Sequence, residues 1–366
     1  MQTDNHYLTK IIFLMADNRF LDRINAQIKF KKPFVLYSDF GKNSIQAQLQ
    51  SNAEVYKTSS FTEQGFVFAP FDLKVPTYII PNASSELLQI HEIPDYTSAL
   101  TPIANASESS PHKQLIKKAI ESINATDLEK VVLARTASLT FSKMDVIALF
   151  LSLAAAYPKA YTYCWYHPNT GFWLGASPET LLEVENKKFK TMALAGTQEF
   201  TGSMNVKWDE KNHEEQQFVT SYLKTTLEKH ALDIEISTPK TIRAGKLLHL
   251  QTTLAGTLFD APDVLKALIS SIHPTPAVCG TPKTLAMSFI KANESIDRAY
   301  YSGFLGQINT PKNNSLVTNL VVNLRCMHLD GNEATLYAGG GITSKSNPET
   351  EWDETEAKLR TIKSVL

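Results

Sequence analysis

The sequence predicts an α+β fold in which two packed antiparallel β-sheets are flanked by helices. Two segments carry hairpin patterns, and hairpins join antiparallel strands. Three further segments, 112–124, 207–230 and 348–366, have the apolar spacing or the end signals of helices. Antiparallel strands covered by helices favour this class over a doubly wound parallel sheet.

The first regular elements follow a soft boundary at residues 101–113, which are rich in Ser, Ala, Asn and Pro. The boundary divides the chain into residues 1–105 and residues 106–366. After it, a helix at 112–124 leads into a strand, "KVVLARTASL", and residues 161–166 form another strand. We expect the first part to be variable and to complete the same fold.

Both hairpins lie in the second part of the chain. Residues 180–196 predict one that turns at Asn186-Lys187, and residues 320–342 predict another that turns at Asp330-Gly331. An Asp-Gly pair between alternating apolar runs is a strong hairpin signal.

Composition excludes several classes of function. The 366 residues carry a formal net charge of −1, so no global field attracts nucleic acid or an anionic membrane. An anionic substrate must therefore be bound by a local cluster. The three cysteines have no disulfide or zinc spacing, and the apolar run Ile11–Ala16 is too short to span a membrane. We expect a cytoplasmic protein without an obligate protein partner.

The helix at 348–366 is unusually acidic. Glu351, Glu354 and Lys358 are spaced i, i+3 and i+7, so they share one face, and apolar residues lie near that face. Carboxylates that point inward are costly unless they are paired or bind a cation. The alternative is a solvated helix.

A second acidic helix lies at 207–230. Glu215 is four residues before Val219 and lies on the apolar face, whereas Glu214 is rotated away. Mg²⁺ needs only one or two protein carboxylates, so Glu215 and Glu354 on separate helices suit it. An acidic first turn of a surface helix is the alternative.

Lys130 and Glu179 are candidates for proton transfer. Glu179 follows a strand and a Ser-Pro step, where poor solvation would raise its pKa and make it a general acid. Lys130 lies on an apolar strand face, where desolvation would lower its pKa and make it a base. A glutamate at a helix start and a lysine at a strand end are the alternatives.

Three further residues have weaker signals. Arg325 is predicted to lie mid-strand, where a guanidinium needs a carboxylate partner. Gly341 ends a run of three glycines that lets the backbone approach a ligand or forms a bulge. His249 lies in an apolar run and, taken alone, resembles a core histidine.

The order of the motifs between residues 112 and 366 carries a stronger signal than any one of them. Together they resemble the chorismate-utilising enzymes, and most closely the isochorismate synthases. The matching segments are "KVVLAR", "GASPETLL", "ALAGT", "LLHLQTTLAG", "HPTPAVCG", "IDRAYYSGFLG", "NLRCMHL", "YAGGGI" and "ETEWDETEAKL".

This resemblance implies an isomerase that binds chorismate with its ring carboxylate on Mg²⁺. Water adds at C2 and the C4 hydroxyl leaves, and the product feeds menaquinone or siderophore biosynthesis. Residues 106–366 would be the chorismate-binding catalytic domain. By motif match, Lys130 is the general base, Glu179 is the general acid, and His249 lies beside the reacting centre.

The resemblance also implies the binding residues. Glu215 and Glu354 would hold Mg²⁺ with Glu351 nearby. The substrate carboxylates would bind Arg325 and Lys358 with help from the backbone at a further set of positions, Gly196, Ala277 and Gly341.

Residues at single positions distinguish the different chorismate-utilising enzymes from one another. Aminodeoxychorismate synthases have a lysine where this chain has Ala195, and anthranilate synthases usually have glutamine at the position of Lys130. Both positions favour water as the nucleophile. A salicylate synthase, which goes on to eliminate pyruvate, is the alternative enzyme. A catalytically silent chorismate-binding protein is a third reading, and it would not need both Lys130 and Glu179.

One segment departs from the pattern of the family. The family usually shows Lys-Asp-Arg-x-Glu-His around the first metal-binding glutamate, and here residues 211–216 read Lys-Asn-His-Glu-Glu-Gln. The departure leaves the choice between Glu214 and Glu215 open, although the helical phase favours Glu215.

Overall fold

A computed structural model describes residues 19–93, 102–104 and 109–366. The apolar run at 11–16 and the predicted boundary after residue 105 lie outside these residues. No helix in the described ranges has the length and apolar character needed to cross a membrane. All three cysteines are buried free thiols.

Ten strands of the described chain form the first sheet, and all of their pairings are antiparallel. Numbered in chain order, they are β1 (Phe34–Ser38), β2 (Ile45–Gln50), β6 (Ser85–Ile90), β7 (Ile103–Ala104), β8 (Lys130–Thr140), β9 (Tyr161–His167), β10 (Gly171–Ser177), β16 (Gly280–Thr281), β19 (Cys326–Asp330) and β20 (Glu333–Ile342). Their order is β16-β8-β20-β19-β10-β9-β1-β2-β6, and β7 also pairs with β8.

The second sheet also has ten described strands and is again antiparallel. They are β3 (Lys57–Thr58), β4 (Gly65–Ala69), β5 (Thr77–Pro81), β11 (Thr180–Glu185), β12 (Lys188–Glu199), β13 (Ala231–Ile236), β14 (Lys240–Ala244), β15 (Leu247–Leu258), β17 (Phe304–Lys312) and β18 (Ser315–Val322). Their order is β13-β15-β12-β11-β18-β17-β4-β5-β3, and β14 pairs with β15.

Helices cover the outer faces of both sheets. They are α1 (residues 19–29), α2 (Ser109–Ala125), α3 (Val146–Ala156), α4 (Glu210–Leu227), α5 (Val264–Ile272), α6 (Lys283–Asn293) and α7 (Pro348–Lys363), with a short 3-10 helix at Asn82–Ser84. Buried residues of α1, α3 and α7 pack on the first sheet, and those of α4 and α5 pack on the second. The predicted α+β fold with two antiparallel sheets is confirmed.

The inner faces of the sheets meet in an aromatic core. Phe68 of β4 lies between Trp165 of β9 and Tyr300, with ring centroids 5.0 Å and 4.5 Å away. Strands before residue 94 enter both sheets, because β1 pairs with β9 and β4 pairs with β17. The division into two parts at residue 105 stays a prediction.

The second predicted hairpin is partly wrong. Leu320–Val322 belong to β18 of the second sheet, and residues 323–325 carry the chain across to β19 of the first. Arg325 is therefore not mid-strand: it lies in the crossing with a φ of 49°. The turn lies at residues 331–332, since Asp330 still pairs with Glu333. Because the apolar alternation continues through residues 323–325, the sequence does not indicate that the chain passes from one sheet to the other there.

Candidate active site

A cavity of about 70 Å³ lies where β8, β12, β15 and β20 approach α4 and α7. Ten of the eleven residues predicted for the site line it. They are Lys130, Glu179, Gly196, Glu215, His249, Ala277, Arg325, Gly341, Glu354 and Lys358. Glu351 is the exception, and it lines a separate outer cavity.

Lys130 is the first residue of β8 and is fully enclosed, with 1% of its surface exposed. Its Nζ lies 3.7 Å from Glu215 Oε2. Burial lowers the pKa of the Lys130 amine, although the Glu215 carboxylate opposes the shift. A lysine with a lowered pKa can carry an unprotonated amine, which is what a base requires.

Glu179 is held after the end of β10. Its backbone N–H donates to Ser177 Oγ at 3.3 Å, and its carbonyl accepts from Val322 N–H at 3.0 Å. Burial raises the pKa of the Glu179 carboxyl to about 8, against the opposing positive charges of Arg325 and Lys130. At neutral pH the group is largely protonated and can donate a proton.

His249 on β15 is a neutral hydrogen-bonding residue. Burial, reinforced by Arg325, lowers the pKa of its imidazole to about 3. Its Nδ1 lies 2.7 Å from the Gly196 carbonyl, which only accepts, so Nδ1 carries the proton. The lone pair of Nε2 therefore faces Arg325, whose Nη2 is 3.4 Å away.

Gly196 reaches its place through a left-handed conformation, with φ at 71°. A Cβ atom there would stand 2.8 Å from Asn212 Oδ1, which accepts a hydrogen bond from Thr197 N–H at 3.1 Å. A glycine is therefore required both by the backbone and by the approach of α4.

Three carboxylates gather on the facing helices α4 and α7. The Lys211 ammonium bridges two of them, with Nζ 3.0 Å from Glu215 Oε1 and 2.8 Å from Glu351 Oε1. Lys358 Nζ lies 2.6 Å from Glu354 Oε1 and donates to the Gly339 carbonyl at 2.8 Å. Negative charge from two helices is thus balanced by lysines from the same helices.

The ammonium groups also set the protonation of the carboxyl groups on α7. Burial pushes the pKa of Glu354 upward, but Lys358 and Lys211 outweigh it and lower that pKa. Burial raises the pKa of Glu351, with Lys211 opposing and Glu354 adding to the shift. For Lys211, the carboxylates Glu215 and Glu351 outweigh burial and raise the pKa of the ammonium.

The choice between the adjacent glutamates of α4 follows from burial. Glu215 is buried in the site, whereas the Glu214 carboxylate lies at the surface and pairs with Lys345, whose Nζ is 2.7 Å from Glu214 Oε1. The helical phase therefore predicts correctly which of the two faces the cavity.

The oxygen donors suit a hard cation such as Mg²⁺. Glu215 Oε1 and Glu351 Oε2 are buried and accept no hydrogen bond within the described residues, although Lys211 Nζ stands near the first. Carboxylate oxygens with open acceptor capacity are the ligands that Mg²⁺ takes. Across those residues, however, no three His, Cys, Asp or Glu side chains are grouped as a metal site. The donor chemistry fits the ion, but the carboxylates are compensated by lysines.

Arg325 is a cation of the cavity for which the described residues supply no carboxylate partner. Its side chain is buried in the cavity, and no described Asp or Glu lies within ion-pair distance of it. A buried guanidinium is costly unless an anion meets it, and its planar fork matches a carboxylate. A neighbouring cavity of about 360 Å³ shares Pro178 and Arg325 with the site and is also lined by Arg243 and Lys159.

Sequence reasoning missed several residues of the site. Lys211 enters the sequence pattern only as the first residue of the segment 211–216, although its i,i+4 spacing to Glu215 predicts pairing on α4. Tyr301 and Thr197 also line the cavity. They reach it from loop and strand ends, where no periodic pattern predicts direction.

The chain is similar in sequence and in fold to known proteins. A family model described as "Chorismate binding enzyme" matches residues 80–366. Isochorismate synthase EntC of Escherichia coli (strain K12) is 30% identical over 269 residues, covering 71% of this chain and 68% of that protein. Isochorismate synthase MenF of the same strain is 29% identical over 76% of this chain and 65% of that protein.

Two further comparisons extend the match. A protein named putative isochorismate synthase MenF, from Mycobacterium tuberculosis (strain ATCC 25618 / H37Rv), is 30% identical over 81% of this chain and 84% of its own length. The crystal structure of a putative 2,3-dihydroxybenzoate-specific isochorismate synthase, DhbC from Bacillus anthracis, has the same fold. Its TM-score is 0.77, with 23% identity over 92% of this chain and 96% of that one.

Proposed function

Because the chain belongs to the family of chorismate-binding enzymes, we propose that it is an isochorismate synthase. In this reaction water adds at C2 of chorismate, the ring double bonds shift, and the C4 hydroxyl leaves. The overall change is an isomerisation, so no second substrate and no redox cofactor is needed.

The observation that carries the proposal is a base and an acid in one cavity. Lys130 has a lowered pKa and Glu179 has a raised one, and both face the same enclosed space. Addition of water needs a group that removes a proton, and departure of a hydroxyl needs a group that supplies one. Lys130 would activate the water, and Glu179 would protonate the leaving hydroxyl.

The remaining polar groups suit a substrate with two carboxylates. Arg325 is a buried guanidinium that no acidic side chain of the described part of the chain pairs with, and Lys358 places a second cation on the cavity wall. The backbone at Gly196, Ala277 and Gly341 also lines the cavity and would help to bind the substrate. His249 keeps its Nε2 lone pair toward Arg325 and would help to fix the orientation of that guanidinium.

We propose Mg²⁺ as the cofactor, held by Glu215 and Glu354. The buried acceptor atom of Glu215 and the position of Glu354 on the cavity wall support this choice. When bound, Mg²⁺ supplies positive charge for a substrate carboxylate. Glu351 does not line the central cavity and would influence the metal site only indirectly, through its ion pair with Lys211.

The product would feed menaquinone or siderophore biosynthesis. One similar protein is named a menaquinone-specific isochorismate synthase, and another is named a vibriobactin-specific isochorismate synthase. These specificities are properties of those proteins.

The test is chromatographic analysis of products from purified protein, chorismate and Mg²⁺. Isochorismate as the released product supports the proposal. Salicylate and pyruvate as the main products would identify a salicylate synthase instead. Chorismate that binds but is recovered unchanged would identify a silent chorismate-binding protein.

A further inference from the structure

Lys211 lies between two cavities. It is in the first turn of α4, and its side chain is about one-fifth exposed, at 19%. On one side lies the central cavity with Glu215 and Glu354. On the other side lies an outer cavity of about 470 Å³, lined by Lys211 itself together with Asp209, Asp353 and Glu351.

Glu354 and Thr197 line both cavities, so the two spaces meet at the carboxylates. Lys211 Nζ stands at this meeting point, because it contacts Glu215 Oε1 at 3.0 Å and Glu351 Oε1 at 2.8 Å. The outer cavity is the more open of the two and carries additional acidic side chains. The outer cavity could therefore admit a cation from solvent, and its acidic side chains could bind a displaced ammonium group.

An ammonium and a divalent ion cannot use Glu215 at the same time without strong repulsion. A Mg²⁺ ion binds carboxylate oxygen at about 2.1 Å, which would place it within a few ångströms of the present Nζ position. Like charges at that separation repel strongly where solvent is scarce. Within the described residues, Glu351 Oε2 accepts no hydrogen bond, and Lys211 Nζ meets only one oxygen of each carboxylate, so it does not satisfy both carboxylates fully.

We propose that Lys211 is a resident counter-ion that bridges Glu215 and Glu351 in the metal-free protein and moves into the outer cavity when a divalent cation binds at Glu215 and Glu354. The inference rests on the proposed metal site. The Lys211 ammonium thus competes with the ion for Glu215. The affinity for the metal then includes the free-energy cost of displacing the ammonium.

The proposal is tested by metal-binding measurements on the whole protein without substrate. Binding of Mn²⁺ is followed by the loss of the free-ion electron paramagnetic resonance signal for wild type and four variants. Lys211→Met removes the charge at nearly constant length, and Lys211→Arg retains it. Lys345→Met is the matched control, because Lys345 lines the same outer cavity but pairs with Glu210 and Glu214. Glu354→Gln reports on the metal site itself.

We expect Lys211→Met to bind Mn²⁺ at least about fivefold more tightly than wild type, a coupling of ordinary size between two ligands of one site. Lys211→Arg and Lys345→Met should stay within about twofold of wild type. In thermal unfolding, metal-free Lys211→Met should melt below wild type, and Mn²⁺ should raise its midpoint by more. A merely structural lysine would lower stability without tightening metal binding, and that result would overturn the proposal.

A second measurement uses wild type and does not depend on how the variants fold. Acylation of lysine amines is followed by mass spectrometry with and without Mg²⁺. The Lys211 amine should react several-fold faster with Mg²⁺, because displacement releases it from its two carboxylates. Exposed Lys118 on α2 is the internal reference and should not change. A Lys211 rate that is unchanged or lower with Mg²⁺ would contradict displacement.

The two proposals fail in different ways. If Glu354→Gln binds Mn²⁺ as wild type does, or if wild type binds none, the proposed metal site is wrong and the role of Lys211 falls with it. If Glu354→Gln weakens binding while Lys211→Met does not tighten it, only the displacement of Lys211 is wrong.

Discussion

Gly341 on β20 lies directly against the Lys130 side chain of β8. A Cβ atom on Gly341 would stand 2.8 Å from Lys130 Cε and 3.1 Å from Glu215 Oε2. Those are shorter than ordinary van der Waals contacts, so a single methyl group would displace the amine, the carboxylate or both. The absence of a side chain at Gly341 therefore lets the Lys130 amine and the Glu215 carboxylate share one cavity.

Gly341→Ala should reduce kcat/KM by about tenfold or more, because the Lys130 amine and Glu215 are pushed out of position. Gly340→Ala is the matched control, since its Cβ would find nothing nearer than 3.6 Å. Steady-state kinetics on both variants, with circular dichroism to verify folding, check the prediction. Equal activity in the two variants would show that the contact with Lys130 does not matter.

Lys130→Ala should abolish water addition while chorismate still binds. Loss of a positioned base typically costs about 10²–10⁴ in rate, whereas Arg325 and Lys358 remain to bind the carboxylates. Isochorismate formation and calorimetric binding of chorismate measure the two effects separately. Lys118→Ala, on the exposed face of α2, is the control. Turnover of Lys130→Ala near the wild-type rate would refute the assignment as base.

The activity of the wild type should fall as pH rises above about 8. Glu179 has its pKa raised to about 8 by burial, and only its protonated form can donate to the leaving hydroxyl. Activity should also fall toward low pH, as the amine of Lys130 becomes protonated. A kcat/KM profile measures both limbs. The control is Glu183→Gln on β11, which changes a half-exposed carboxylate and should leave the profile unaltered. A wild-type rate that keeps rising beyond pH 9 would contradict the role of Glu179.

The stability of the protein should also depend on Glu179. The folded-state pKa of Glu179 lies above the ordinary glutamate value of 4.5, so the native state binds the proton more tightly than the unfolded state. Stability from this group is full below about pH 4.5 and is lost as pH rises through about 8. Glu179→Gln does not titrate, so its free energy of unfolding relative to wild type should increase between those limits. Urea unfolding at pH 5 and pH 8.5 measures the difference, and a difference independent of pH would exclude the raised pKa.

Glu354→Gln should severely weaken the dependence of activity on Mg²⁺. The amide removes a negative charge that Mg²⁺ would bind and that Lys358 now compensates at 2.6 Å. Glu349→Gln is the control on the same helix, because Glu349 is exposed and pairs with Lys113 at the surface. A Mg²⁺ titration of activity compares the two variants. An unaltered titration for Glu354→Gln would remove this residue from the metal site.

Turn residues and helix-capping residues in the sequence correctly predict where two of the elements begin or turn. Asn186 and Lys187 turn the hairpin of β11 and β12 as expected, and both have a positive φ. Asn347 caps α7 as its sequence indicates, by accepting from the backbone N–H of Glu349 and Thr350. Turn and cap residues act within a few positions along the chain, so their pattern is sufficient.

The sequence does not predict contacts between elements that are far apart along the chain. Arg325 lies in a crossing between sheets, although its neighbours alternate like those of a strand. Glu356 lies off the face of α7 that Glu351, Glu354 and Lys358 share, yet it pairs with buried Arg135 of β8. Nothing within α7 indicates that an arginine from a strand more than two hundred residues earlier meets it. Similarly, the bridge from Lys211 to Glu351 requires α4 and α7 to be placed side by side.

The pairing of β8 with β20 has a consequence for biosynthesis on the ribosome. Val132 is in register with Gly341, so two walls of the central cavity come from strands that are about two hundred residues apart in the chain. Pairings at such long range close slowly, and they cannot begin until the later strand has emerged. A nascent chain would therefore lack the closed cavity until β20 had been translated. Release of the chain before β20, or a frameshift ahead of it, would yield a protein with Lys130 but without the strand that lies against it.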